Sequence, residues 1–243
     1  MNFDLMLESL PALLKGTAIT LQLLAASLAC GMLIAVPVAI LRINGNRVVR
    51  LILHCYIYFF RGTPLLVQIF LVYYGLAQFD VVRDSALWPY LRQASVCAIL
   101  TFSLNTAAYT AYILRGAIQA VPAGEIEAAR ACGMSTALAY RSIILPHAFR
   151  LALPAYGNEV VSMLKSTSLA STITVMELTG VANTIVARTF APYELFITAA
   201  LIYLAITYVL TSALRALEHR LSRHRRPLVQ THPNLAESSH AAT

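Results

Sequence analysis

Apolar runs and short polar breaks alternate along this chain. Five runs come close to the roughly 20 apolar residues that a helix needs to cross a hydrocarbon core of about 30 Å. They are Thr17–Leu41, Leu51–Ala77, Ala94–Leu114, Leu151–Ser171 and Leu195–Leu217. The stretch 122–147, between the third and fourth runs, has a different pattern. Pro122 suits the first turn of a helix, and Glu125 and Glu127 sit near its positive end. Gly133 can take the left-handed conformation that ends a helix. Ser135 or Thr136 can then cap a second helix reaching Leu145, with Pro146 as its stop. The pattern predicts an all-α integral membrane protein of five transmembrane helices, with a helix–turn–helix between the third and fourth.

The two ends read differently. In residues 1–16, Phe3, Met6, Leu10 and Leu13 recur at helical spacing between Asp4, Glu8 and Lys15. That suits a short helix lying on the membrane interface, or else an irregular leader. The first apolar run exceeds the roughly 7–15 residues of a signal h-region and has no basic segment before it, so no cleaved signal is expected. Residues 17–220 form the expected membrane domain. Residues 221–243 turn Ser-, His- and Ala-rich after an arginine run and are expected to be a disordered tail.

Composition supports burial in lipid. Of 243 residues, 58% are hydrophobic and 12% charged, with mean hydropathy +0.68. Soluble domains carry about 25% charged residues, so this chain lacks the polar surface to cover a water-soluble body. Cys30, Cys55, Cys97 and Cys132 form no CxxC pair and are expected as free thiols. The net charge of +7 takes its meaning from its distribution. Arg42, Arg47, Arg50 and Arg61 flank the first break, and Arg115, Arg130, Arg141 and Arg150 the third. Arg215, Arg220, Arg223, Arg225 and Arg226 follow the last run. The alternate segments hold only Lys15, Arg83, Arg92 and Arg188, a split of thirteen against four. By the positive-inside rule this places the N-terminus outside, and 122–147 and the C-terminus in the cytoplasm. The terminal arginines then act as orientation anchors.

An alanine-rich helix, a Gly-Met-Ser turn and a second helix with tyrosine and arginine also have the form of a DNA-binding helix-turn-helix. Few base-reading side chains beyond Arg141 are available, and the close membrane spans leave no tether to reach a major groove. A more specific pattern is present. Glu127-Ala128-Ala129, three residues, Gly133, nine residues and Ile143-x-Leu145-Pro146 resemble the "EAA" signature of permease subunits from ABC importers. "FRGTPLLVQIFLVYYGL", "LNTAAYTAYILRGAI" and "LPAYGNEVVSMLKSTSLAS" are similar to the polar amino-acid uptake permeases, in the branch for histidine, arginine, ornithine and octopine-type opines. The likeness covers about Thr17–Arg220. It implies a MetI-like fold in a bacterial inner membrane and a second, related permease subunit. It also implies two ATPase subunits on the cytoplasmic side and a periplasmic solute-binding protein. In the family the signature forms the coupling helices that dock on the ATPase, a role this resemblance carries to Glu127, Ala128, Ala129, Gly133, Ile143, Leu145 and Pro146.

The chain has no G-x-x-x-x-G-K-[ST], so ATP would be held by a separate polypeptide, with no cofactor, metal or catalytic residue here. The same absence suits an ion-coupled transporter, although five spans without an internal repeat fit that class poorly. In the fourth run, Asn158, Glu159, Ser162, Lys165 and Ser166 make one polar sector of a helix. Intramembrane ionisable groups usually face an interior or a water-filled path. The sector therefore lines a substrate path, with Glu159 facing a cationic substrate, or it pairs with neighbouring helices; Lys165 can snorkel outward. Gln68, Asn105 and Tyr109 can hydrogen-bond either a solute or another helix. Arg61-Gly62-Thr63-Pro64 is expected to set the entry of the second span, and Trp88 and Tyr90 to anchor at the interface.

Overall fold

A computed structural model describes residues 2–222, and among them every regular element is helical. Helix α1 runs unbroken over Phe3–Asn44. At about 1.5 Å per residue it is about 63 Å long, twice the hydrocarbon thickness. Helix α2 (Arg47–Gly62) is followed by α3 (Leu65–Phe70), which widens into a π turn at Leu71–Gly75 and tightens at Leu76–Gln78. The short helices α4 (Asp80–Arg83) and α5 (Trp88–Leu91) lead to α6 (Ala94–Gln119). Next come α7 (Ala123–Ala131), α8 (Thr136–Ala139), a π turn at Tyr140–Ile144 and α9 (Leu145–Ser166). A 3₁₀ stretch (Thr167–Ile173), α10 (Leu178–Thr189) and α11 (Pro192–Ser222) complete the described chain.

Helices α1, α6 and α11 are each long and apolar enough to cross a membrane. The number rises to five if the pair α2–α3, bent by 107°, and the pair α9–α10, bent by 47°, each count as one span. Lipid gives helices no hydrophobic reason to associate, so close backbone approach between small residues must do so. Gly31 of α1 lies so near α6 that a Cβ there would stand 2.3 Å from Thr106 Cγ2. Ala35 and Ala39 of α1 continue this seam in one core with Ala107, Ala108 and Ala111 of α6. Lower on α1, a Cβ at Gly16 would meet the Leu178 backbone of α10 at 3.0 Å. Three core layers follow one another along α1, around Leu13, around Leu23 and Leu24, and around Ala35 to Ala39.

Several boundaries differ from the sequence reading. Residues before 17 do not form a separate segment. Ser9, Leu13 and Gly16 are buried, and Leu13 packs with Leu178, Ala182, Leu195 and Ala199, so the first turns belong to α1 and to the bundle. The second run is not one straight helix, because Thr63-Pro64 breaks it; proline lacks the N–H and restricts the residue before it. Pro146 does not stop the helix that begins at Thr136. The π turn at Tyr140–Ile144 absorbs the misfit, and Pro146 falls in the first turn of α9, where a missing N–H costs little. Helix α10 was not expected. The anticipated tail lies almost wholly outside the described residues, and α11 reaches Ser222.

Candidate functional site

The polar sector of α9 divides between two openings. Glu159 and Ser166 line a cavity of about 160 Å³, whose walls include Thr63, Asn105 and Tyr109. Asn158 and Lys165 instead open on a groove of about 360 Å³ between α9 and α11, with Thr211, Arg215 and Glu218 on the far wall. Ser162 lies on the rim of both. The split follows from helix geometry, since Asn158 and Glu159 are a hundred degrees apart and edge a broad sector. Glu159 is half-buried and is the only carboxylate lining the smaller cavity. Around it stand the hydroxyls of Thr63, Tyr109, Ser162 and Ser166; Ser166 Oγ donates back to Ser162 O at 3.0 Å. The guanidinium of Arg61 lies within electrostatic reach of Glu159. It is held over two rings, 3.9 Å from the Tyr112 centroid and 5.1 Å from that of Tyr109. A lone carboxylate ringed by hydroxyls can receive an ammonium or guanidinium group.

Gln68 and Asn105, candidates for solute contact, are committed to the elbow between α2 and α3. The bend frees carbonyls that a straight helix would satisfy. Gln68 Nε2 donates to Phe60 O at 2.9 Å, to Thr63 O at 3.1 Å and to Thr63 Oγ1 at 2.8 Å. Asn105 Nδ2 donates to Phe60 O at 3.1 Å and to Gln68 Oε1 at 2.9 Å. Tyr109 OH reaches Arg61 O at 3.5 Å. The Arg61-Gly62-Thr63-Pro64 segment is thus the corner of the cavity wall, pinned from α3 and α6.

The motif segment is built as a second rigid corner. Gly133 has φ +74°, in the left-handed region. Met134 N–H donates to Ala129 O at 3.1 Å and Gly133 N–H to Arg130 O at 2.9 Å, a Schellman closure of α7. Ser135 Oγ accepts from Leu138 N–H at 3.3 Å and opens α8. Two side-chain links fix the corner to the bundle. Asn44 Nδ2 at the end of α1 donates to Tyr140 OH at 2.7 Å, and Glu125 Oε2 lies 2.9 Å from His147 Nδ1. The motif residues divide by direction. Ala129 is buried, and Ile143 and Leu145 pack against the same core, whereas Glu127, Ala128, Gly133 and Pro146 are exposed.

Sequence reasoning missed Glu177, which is fully buried where α1, α10 and α11 meet. Its Oε1 accepts from Gly180 N–H at 2.8 Å and caps α10. Its Oε2 accepts from Tyr203 OH at 2.9 Å and Thr20 Oγ1 at 3.3 Å. The available signal was a carboxylate three residues before a glycine, at the head of an amphipathic dozen. All four cysteines are free thiols. Among the described residues no three His, Cys, Asp or Glu side chains come together as a metal site requires.

Comparison with known proteins gives these features a setting. Residues 27–223 match the family of binding-protein-dependent transport system inner membrane components. The nopaline transport system permease protein NocM of Agrobacterium fabrum is 50% identical over 240 residues, covering 98% of this chain and all of that protein. The histidine/lysine/arginine/ornithine transport system permease protein HisM of Salmonella typhimurium is 47% identical over 210 residues, 86% of this chain and 89% of that one. Among solved structures, an amino acid ABC transporter with histidines superposes with a TM-score of 0.79 at 34% identity, covering 90% of this chain and 99% of its own. The MetNI methionine ABC transporter, in an inward-facing conformation, gives a TM-score of 0.74 at 17% identity, covering 88% and 98%, a likeness of fold. With most of its length matched by the family and by relatives near half identity, the chain belongs to the binding-protein-dependent transport system inner membrane components, the MetI-like permease subunits of ABC importers.

Proposed function

We propose that this chain moves cationic amino acids, of the arginine, histidine and ornithine type or a related opine, into the cytoplasm by alternating access. The observation that carries the reading is the single carboxylate of Glu159 among hydroxyls in the α3–α6–α9 cavity. The substrates in the names of NocM and HisM point the same way. Ser162, Ser166 and Tyr109 complete the path at this cavity and Asn158 and Lys165 extend it along the α9–α11 groove, while Asn105 lines its wall and Gln68 braces it. In this reading α2–α3 and α9–α10 each count as one bent span. The chain then crosses a bacterial inner membrane five times, with its N-terminus outside and its C-terminus inside, as the basic residues favour.

The α7–α8 corner then lies on the cytoplasmic side and couples the permease to a separate ATPase. Its exposed Glu127, Ala128 and Gly133 offer an acceptor, a small surface and a fixed angle to that partner. The partners are a second, related permease subunit, two copies of the ATPase and a periplasmic solute-binding protein. ATP can drive the cycle only if the ATP-bound ATPase binds one permease conformation more tightly than the other. The Schellman closure and the links through Asn44 and Glu125 let the corner act as a rigid lever for that difference. Co-purification of an ATPase with the chain, and uptake of labelled arginine dependent on it, test the reading together.

A further inference from the structure

Four arginines and a histidine converge at the end of the bundle that carries the α7–α8 corner. Arg42 comes from the last turn of α1, Arg47, Arg50 and His54 from the first turns of α2, and Arg115 from the end of α6. With Leu51 they line an open basin of about 380 Å³. Arg42 Nη2 donates to His54 Nδ1 at 3.0 Å, the only direction open to a guanidinium. Arg42 Nη1 and Arg115 Nε are buried without a hydrogen-bond partner in the protein. Arg115 and Arg61 both lie near enough to Arg42 to repel it. Among the described residues no carboxylate forms an ion pair with any of the four basin arginines. Arg47 and Arg50 also occupy the positive end of a 16-residue helix, where a cation is unfavourable and an anion welcome.

The surface next to the basin narrows the class of anion. Val48, Leu51, Ile52, Tyr58 and Phe59 are exposed on α2. Val48, Ile52 and Phe59 repeat at helical spacing, so an apolar stripe leads away from the basin along the same helix. Concentrated positive charge joined to an apolar stripe on a membrane helix suits an amphiphile with an anionic head. We propose that the basin of Arg42, Arg47, Arg50, His54 and Arg115 binds the phosphate headgroup of an anionic phospholipid, whose acyl chains lie along the Val48–Phe59 face of α2. The headgroup relieves the repulsion among the arginines and ties the ends of α1, α2 and α6 together, two residues from the Asn44 that holds Tyr140. The inference requires α2 to lie in the membrane and is independent of which solute is carried.

The test uses the full chain in the complex in which it is extracted from membranes, with its thermal midpoint in mild detergent as the readout. Phosphatidylglycerol raises the midpoint by several degrees, whereas phosphatidylcholine and inorganic phosphate do not. The double variant R47Q/R50Q, at exposed side chains, loses at least half of that shift; R47K/R50K keeps it. R92Q/R188Q, away from the basin, also keeps it. An undiminished shift in R47Q/R50Q, or no shift with phosphatidylglycerol in the unaltered chain, overturns the site. An equal shift with inorganic phosphate overturns the lipid assignment in favour of a free-anion site, and an equal shift with phosphatidylcholine shows the charge to be irrelevant.

Discussion

Asn105 on α6 donates its amide to Gln68 Oε1 on α3 at 2.9 Å, and both side chains are buried. The bond joins two helices at the point where the chain turns through 107°. It also decides what each residue is free to do. Gln68 spends its N–H groups on Phe60 and Thr63, and Asn105 spends its own on Phe60 and Gln68. Gln68 therefore braces the wall that Asn105 lines.

Replacing Gln68 with leucine strands the carbonyl of Thr63 and weakens the hold on that of Phe60. A buried group without a partner costs about 1–3 kcal/mol, so the purified chain should unfold at a clearly lower temperature. Uptake of every accepted solute should fall by the same factor, because the cavity loses its shape rather than a ligand. A change confined to the KM for one solute would assign Gln68 to direct contact instead.

Glu177 carries a comparable structural load at the other end of the bundle. Glu177→Ala removes the cap of α10 and the acceptor for Tyr203 and Thr20. Thr20 keeps Gly16 O and Tyr203 keeps Thr179 Oγ1, so the Gly180 N–H is the stranded donor, at a cost of about 1–3 kcal/mol, and less folded chain should be recovered. Glu177→Gln keeps one acceptor oxygen and should recover part of the loss. Fluorescence-detected size exclusion after heating separates the two variants, and equal profiles would deny Glu177 this role.

One of the two motif alanines is buried and the other exposed, and substitution should tell them apart. Ala129 is 3% exposed, so Ala129→Leu overpacks the core at a cost of about 1–3 kcal/mol and lowers the amount of folded protein. Ala128 is exposed, so Ala128→Leu should leave the thermal midpoint unchanged while reducing recovery of the ATPase in a pull-down. Identical effects from both would show that this face of α7 docks nothing.

Gly133→Val places a β-branched side chain at φ +74°, which costs about 1–2 kcal/mol and loosens the Schellman closure. The variant should insert and assemble, yet hydrolyse ATP with much reduced uptake. Normal uptake per ATP would contradict the lever.

Where a residue's work is local, the sequence disclosed it. Gly133 and Ser135 act on backbone groups within four residues, so the turn between α7 and α8 was legible from residue type and spacing. The elbow at Thr63-Pro64 was not, because the apolar run continues through it, and hydropathy does not register direction. Gln68 and Asn105 stood out as polar residues in apolar runs, but their 37-residue separation hid that they answer each other. The α9 sector was legible as a sector. Its division between two openings depends on where α6 and α11 pack, which only long-range contacts decide. Glu177 was invisible for the same reason, since Thr20 and Tyr203 reach it from distant parts of the chain.

In the proposed cycle Glu159 receives the cationic group of a transported amino acid. The most direct measurement is ATP-dependent uptake of labelled arginine by the reconstituted complex, wild type and Glu159→Gln side by side. Unlabelled histidine, ornithine, octopine, glutamine and glutamate serve as competitors. Competition by the cationic compounds or the opine and not by glutamine or glutamate is expected, with about a tenfold or greater loss of arginine uptake in an otherwise intact Glu159→Gln complex. Wild-type kinetics in that variant would make Glu159 a structural residue, and competition by glutamate alone would contradict the cationic substrate and turn attention to Lys165.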